Sequence, residues 1–145
     1  MTLITKRVLI NLDSSIEQLK TISNLSKLLK KKGELILCES SSTGLKNINI
    51  FRKDLGLNEI KSPWHNLYLN DDVIKKKKFK NVKLIKIHNF TSTYYFCSRI
   101  VNAYLSKLNN RKAKNSDRLS KIGWVIKNIT QDFSQTKIFH FKSND

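Results

Sequence analysis

The sequence predicts an α/β protein with a mainly parallel sheet, helices on both faces of that sheet and one antiparallel strand at its edge. First, short apolar runs alternate with longer segments whose apolar residues recur every three or four positions, an order typical of α/β proteins. Second, the unbroken apolar run 35–38 directly follows a helix-like segment, which indicates a central strand covered on both faces. Third, residues 137–141 alternate between polar and apolar types, which favours an edge strand. With 145 residues, the chain fits a single domain spanning residues 1–145.

The first strand and the first helix have the clearest boundaries in the sequence. Residues 3–12 are rich in apolar side chains and indicate the end of a buried strand followed by a short connection. Ser14 and Glu17 form a capping box, which predicts that a helix begins beside Ser14. Residues 30–32 are lysines that we place in the last turn of this helix, and Gly33 is placed as the residue that ends it.

The remaining elements follow from the same two patterns of apolar spacing. Gly56 ends a second helix over residues 45–55, and a loop rich in aromatic side chains follows over residues 60–69. Asn70 or Asp71 can cap a short helix after that loop. The predicted later elements are this short helix to residue 78, a strand over 82–87, a helix over 91–105, a polar loop over 109–115, a helix over 117–129 weakened by Gly123, and a last strand over 137–141.

The charge of the chain is strongly positive, with a formal net value of +17. Such a charge favours binding to nucleic acid or to an acidic surface. However, only 5 of the 28 basic residues are arginines, and arginine is the residue that nucleic-acid readers use for forked contacts. Because the lysines are spread along the whole chain, we interpret most of them as solvated and do not favour a dedicated nucleic-acid face.

Several classes of protein are excluded or disfavoured by composition. Cys38 and Cys97 are far apart and form no CxxC pair, which disfavours a disulfide framework and a zinc site. The three histidines, at positions 65, 88 and 140, have no neighbouring carboxylate pair, so no metal site is predicted. The sequence contains neither a run of about 20 apolar residues nor a secretory signal. These features together predict a cytoplasmic protein.

Two stretches of the sequence resemble a known enzyme family. Residues 5–12 (TKRVLINL) and 28–39 (LLKKKGELILCE) resemble the second half of class I S-adenosylmethionine-dependent methyltransferases. In that fold a fourth strand leads through a helix into an L-K-P-G-G turn and a fifth strand. Here the turn, residues 29–33, lacks the proline and one glycine. Residues 63–66 (PWHN) and 92–95 (STYY) are similar to a bacterial subgroup of the same family, and the resemblance extends over residues 2–142.

The resemblance implies a partial Rossmann-like sheet, S-adenosylmethionine as cofactor and a small or sugar-like methyl acceptor. The family's glycine-rich loop and the acidic residue that holds the ribose have no counterpart, since the glycines at 33, 44, 56 and 123 are far apart. The chain therefore looks like the carboxyl-terminal half of the enzyme and is expected to be inactive alone. Three interpretations remain open: a truncated remnant, a fragment, or one subunit of a split enzyme that works with a separate cofactor-binding half.

Candidate residues of the site lie first at the ends of the two leading strands. Thr5 and Lys6 are predicted to contact the cofactor, as the resemblance implies. Arg7 can bind a carboxylate or phosphate of the substrate, or it can hold the connection in place. Glu39 ends a buried strand and can act as a general base. The alternative for Glu39 is a salt bridge to a neighbour such as Arg52.

Further candidates lie later in the chain. Asn49 and Arg52, three residues apart on one helix face, are predicted to bind substrate. In the loop, Trp64 and Asn66 are also predicted to bind substrate, because large side chains in a loop are costly unless they pack or bind something. His65 can serve as general base, and its alternative is a structural, hydrogen-bonded histidine. Two tyrosines complete the predicted substrate site, and at least one of them is expected in the core: Tyr94 and Tyr95.

Two other functions are consistent with the sequence. One is a non-enzymatic basic module that binds RNA or an acidic surface, with strongly salt-dependent affinity. The other is a structural subunit whose exposed first strand pairs with another chain or with a second copy of itself.

Overall fold

The computed structural model describes residues 1–125 and 131–144 and divides into two compact units. The first, which we call the sheet unit, contains Met1–Ser42, Ser62–His88 and the segment from Thr136 onward. The second, the helical unit, consists of the described residues within Thr43–Lys61 and Asn89–Gln135.

The sheet unit contains four strands in the order β1-β2-β4-β3. Their bounds are Thr2–Lys6 for β1, Glu34–Ser40 for β2, Val82–His88 for β3 and Thr136–Ser143 for β4. β1 pairs with β2 in parallel, whereas β4 pairs antiparallel with both β2 and β3. The α/β class is therefore confirmed, but the prediction of a mainly parallel sheet is wrong, since only one of the three strand pairs is parallel.

The predicted edge position of the last strand is also wrong, because β4 lies between β2 and β3. The alternation that suggested an edge has a different cause. Lys137, Phe139 and Phe141 are fully buried on one face of β4, while Ile138 and His140 on the other face are half-buried. An interior antiparallel strand packed firmly on one face gives the same period-two pattern.

The helices of the sheet unit all pack on one face of the sheet. A short 3-10 turn (Leu9–Asn11), α1 (Ser15–Lys27) and α3 (Asp71–Lys76) share one apolar cluster with the strands. On the opposite face Ile4 is 69% exposed and Ile36 is half-buried. Within this unit the helices therefore cover one face of the sheet, and β1 is a half-exposed strand instead of the buried one predicted.

Helix α1 begins as predicted but ends early. Ser14 caps it by accepting a hydrogen bond from the backbone N–H of Glu17 at 3.2 Å, which confirms the start. The helix ends at Lys27 because the N–H of Leu28 bonds back to the carbonyl of Leu25, a tight turn that does not continue the helix. The three lysines at 30–32 therefore lie beyond the helix, and Lys32, not Gly33, takes the left-handed conformation.

The helical unit consists of helices around a smaller apolar cluster formed by Ile48, Ile100 and Phe133. Its helix α2 (Ser42–Asp54) starts earlier than predicted, and Gly56, with a φ of 62°, follows its end as expected. Gly123 permits close packing, because a Cβ there would lie 2.8 Å from the Cα of Tyr94. The bounds are α2, Ser42–Asp54; α4, Ser92–Tyr95; a π-helical turn, Phe96–Val101; α5, Asn102–Leu108; and α6, Arg118–Val125.

Two of the predicted helices are present over most of their described residues. The helix predicted over 91–105 is present as one helical run from Ser92 to Leu108 that includes the π-helical turn. For the helix predicted over 117–129, residues 118–125 are helical and residues 126–129 lie outside the described residues.

Candidate functional site

Glu39 lies at the carboxyl end of β2 and is fully buried. Its Oε1 accepts hydrogen bonds from the backbone N–H groups of Val8 at 3.0 Å and Leu9 at 3.3 Å, and from the hydroxyl of Thr5 at 3.4 Å. Burial raises the pKa of the Glu39 carboxyl, and the backbone donors oppose that effect only in part. Its Oε2 is buried without a hydrogen-bond partner among the described residues. A carboxyl with a raised pKa and one unpartnered oxygen is a candidate for proton transfer.

The turn after β1 supplies the amide donors for this carboxylate. Arg7 has a φ of 54°, in the left-handed region, which reverses the chain directly after the strand. Its N–H bonds the carbonyl of Cys38 at 2.9 Å, and its carbonyl accepts from the Asn11 side chain at 2.8 Å. The backbone of Arg7 thus holds the connection after β1 in place. This role is one of the two predicted for Arg7, the other being to bind a carboxylate or phosphate of the substrate. The side chains of Lys6 and Arg7 are exposed at the same end of the sheet.

A buried ionic network lies beside Glu39, and sequence reasoning did not identify it. Lys137, directly opposite Glu39 in the strand register, forms an ion pair with Asp71. The other oxygen of Asp71 accepts from the hydroxyl of Ser41 at 2.7 Å. All three side chains are at most 1% exposed. The alternation of β4 carried a usable signal, since it places Lys137 on the same face as two phenylalanines.

The loop at residues 63–66 displays aromatic side chains at this end of the sheet unit. Trp64 is 96% exposed and packs edge-on against His65, with ring centroids 5.4 Å apart. Asn66 is buried, and its N–H bonds the carbonyl of Pro63 at 2.9 Å. The following residue, Leu67, bonds the carbonyl of Ile10 in the 3-10 turn at 2.8 Å. The loop is therefore anchored to the turn whose amides hold Glu39.

The other predicted substrate residues belong to the helical unit. The side-chain amide of Asn49 forms two hydrogen bonds with the backbone of Ile60, at 3.0 and 2.9 Å, and so fixes the chain after α2. Arg52 donates to the carbonyl of Asn58 at 2.8 Å and to the carbonyl of Arg99. The predicted alternative of a salt bridge between Glu39 and Arg52 is therefore not formed. Arg52 donates to backbone carbonyls, and Glu39 accepts from backbone amides.

The two tyrosines have different surroundings. Tyr95 packs against the apolar cluster of the helical unit, which confirms that at least one tyrosine belongs to the core. Tyr94 stacks on Trp124 with ring centroids 4.3 Å apart. The predicted site residues therefore form two groups, one in each unit: Thr5, Lys6, Arg7, Glu39, Trp64, His65 and Asn66 in the sheet unit, and Asn49, Arg52, Tyr94 and Tyr95 in the helical unit.

Residues 1–125 and 131–144, which the structure describes, contain neither a membrane-spanning helix nor a cluster of metal ligands. None of the helices in that part of the chain is both long and apolar enough to cross a membrane. Nor do three or more His, Cys, Asp or Glu side chains come together there in a way that would hold a metal ion.

Comparison of the chain with models of protein families, with curated proteins and with solved structures gives no match.

Proposed function

We propose that this chain is the acceptor-side part of a class I S-adenosylmethionine-dependent methyltransferase, acting on a small or sugar-like molecule. The cofactor-binding part would be supplied by sequence outside these 145 residues. The proposal is supported by the motifs in the sequence and by the direction of the strands. β1, β2 and β3 run the same way, and β4 is inserted between β2 and β3 in the opposite direction.

The observation that carries the proposal is the outer edge of β1. Among the described residues this strand pairs with β2 alone, and Ile4 in its centre is 69% exposed. An unpaired strand edge is a template for a further strand. The carboxyl ends of β1 and β2 lie side by side and present Thr5 and Glu39, and such strand ends are where open α/β sheets bind ligands.

The residues of this chain do not by themselves fit the cofactor. Three of its four glycines have packing roles: a Cβ at Gly33, Gly44 or Gly123 would come within 3.0 Å of backbone atoms. Gly56 adopts a left-handed conformation after α2. None of them belongs to a glycine-rich loop, so we assign no cofactor-binding loop to this chain.

The proposed part of this chain is to hold the acceptor and to remove its proton. Trp64 offers an exposed aromatic face against which an acceptor can stack. His65 lies beside it, with ring centroids 5.4 Å apart, and would act as general base. Glu39, with a raised pKa and a buried, unpartnered Oε2, is the second candidate base. Aligning the acceptor would contribute most of the rate enhancement.

Calorimetry with S-adenosylhomocysteine tests the first half of this proposal. The isolated chain is expected to give no heat of binding. Micromolar binding would contradict the view that the cofactor site lies elsewhere.

A fusion tests the second half of the proposal. The amino-terminal half of a class I methyltransferase, with its glycine-rich loop, would be fused ahead of Met1. We expect the amides of β1 to become protected from hydrogen exchange and the fusion to bind S-adenosylhomocysteine. A matched fusion carrying Ile4→Pro, which removes a backbone donor from β1, should show less protection.

Two outcomes of the fusion experiment would change the interpretation. Protection of β1 without cofactor binding would favour a structural subunit that completes another chain's sheet. Unchanged exchange of the β1 amides would contradict the proposal, because it would show that this edge does not accept a further strand.

A further inference from the structure

The helical unit contains a cavity of about 570 Å³ that the proposed methyltransferase role does not use. Its walls come from the end of α2, the π-helical turn, α5 and the loop that follows α5. The volume falls within the range of small-molecule sites, about 300–1,000 Å³.

The lining of this cavity is cationic. Six of the residues that line it are basic and none is acidic: Arg52, Arg99, Lys107, Arg111, Lys112 and Lys114. Arg52 and Lys107 donate to backbone carbonyls, and Arg111 pairs with Asp117 outside the cavity wall at 2.8 Å. Arg99 lies close enough to Arg52 that, after burial, its charge helps to lower the pKa of Arg52. Like charges held this close favour an anion between them.

Two buried hydrogen-bond donors in the cavity wall have no partner among the described residues. Ser98 is 5% exposed and its hydroxyl is unsatisfied, and the Nε of Arg99 is likewise buried and unsatisfied. Leaving such buried donors unpaired is unfavourable. A ligand with several acceptor oxygens would remove that cost.

Both donors lie in the π-helical turn Phe96–Val101. A π-helical turn interrupts the regular hydrogen bonding of a helix, and such turns occur often at functional sites. Here the turn places Ser98 and Arg99, neighbours in sequence, on the wall of one cavity. The π-helical turn is unfavourable for the helix, yet it brings two donors to a cationic cavity. This combination indicates a binding site.

We propose that this cavity binds a phosphate ester of small size, such as a sugar phosphate. The phosphate would accept hydrogen bonds from the Ser98 hydroxyl and the Arg99 Nε, and Arg52, Lys112 and Lys114 would balance its charge. The rest of the cavity would hold the organic group. This site is independent of the methyltransferase proposal, because it depends only on residues of the helical unit.

Calorimetry with ribose 5-phosphate, with ribose and with inorganic phosphate tests the site. We expect saturable binding of ribose 5-phosphate, weaker binding of inorganic phosphate and none of ribose. Arg99→Gln should weaken binding at least about tenfold, because a charge-assisted hydrogen bond is lost. Ser98→Ala should weaken it by about three- to tenfold. Lys83→Gln, which removes one charge from an exposed position on β3 in the sheet unit, is the matched control and should bind like the wild type.

Three results would overturn the proposal. The first is the absence of binding to either phosphate probe. The second is an equal loss of affinity in Lys83→Gln and Arg99→Gln, which would indicate diffuse charge attraction. The third is tight, salt-sensitive binding of single-stranded RNA that ribose 5-phosphate does not displace, which would assign the surface to nucleic acid. If Arg99→Gln shows a lowered melting temperature, Lys114→Gln, at an exposed position, replaces it in the series.

Discussion

Replacing Lys137 by methionine removes the cation of the buried network and leaves the carboxylate of Asp71 without its ionic partner. Lys137 is 0% exposed and Asp71 is 1% exposed, so water cannot replace the lost ammonium group. The hydroxyl of Ser41, at 2.7 Å, would remain as a hydrogen-bond donor to the other oxygen. One neutral donor does not compensate for a buried charge.

The size of the effect follows from the burial of this pair. Removing one partner of a buried ion pair costs about 3–5 kcal/mol, whereas replacing both charges by neutral groups is often close to neutral. Lys137→Met should therefore consume a large share of the 5–15 kcal/mol that stabilises a typical domain. The melting temperature should fall by roughly 10 °C or more. The double variant Lys137→Met/Asp71→Asn should recover most of the loss, because the side chain at position 71 then carries no charge that needs the ammonium group.

Urea unfolding followed by circular dichroism measures these differences, with Lys142→Met as the matched control. Lys142 is an exposed lysine on the same strand, so its replacement should change the free energy of unfolding by less than about 0.5 kcal/mol. Two results would refute the reasoning: a loss of under about 1 kcal/mol in Lys137→Met, or a double variant no more stable than the single one.

Three further predictions concern Glu39 and the glycines. Because burial raises the pKa of Glu39 above its ordinary value of 4.5, the folded state favours the protonated form. As the pH rises from 4.5 through the folded-state pKa, the wild type should therefore lose stability relative to Glu39→Gln. Thermal melts between pH 4 and 8 would measure this trend. A difference in melting temperature that stays constant over this pH range would contradict it. Gly44→Ala places a Cβ 1.8 Å from the carbonyl oxygen of Ser134 and should cost at least about 1–3 kcal/mol in urea unfolding, whereas Lys46→Ala, at an exposed position on the same helix, should not. Gly56→Ala, at a φ of 62°, should lower the free energy of unfolding by about 1 kcal/mol in the same assay, and an unchanged value would mean that the turn relaxes.

The site could be predicted from the sequence only in part. Glu39 was identifiable because it follows a buried apolar run, and the structure places it at a strand end with Thr5 as predicted. That its partners are the amides of Val8 and Leu9 depends on the left-handed turn at Arg7. A positive φ at an arginine has no signal in the sequence, because it is imposed by the connection between β1 and the turn that follows.

The cavity of the helical unit could not be predicted. Ser98 and Arg99 lie in a segment whose apolar spacing indicates an ordinary helix, and the π-helical turn adds one residue to a single helical turn. Local propensity does not distinguish the two, since both conformations use nearly the same backbone angles. The π-helical turn occurs where this segment packs against α6, which approaches it closely at Gly123.

The sequence by itself determined which segments are helices and strands and where several of them begin and end. The cap at Ser14, the stop at Gly56 and the apolar run of β2 depend on residues within a few positions of each other, so they can be seen in the chain alone. Only the tertiary structure decided the strand order and the burial of Lys137. The ion pair of Lys137 joins residues that are 66 positions apart, and β2 pairs with β4 across 96 to 108 positions. Such pairing is selected by the packing of a common core, which local patterns do not encode.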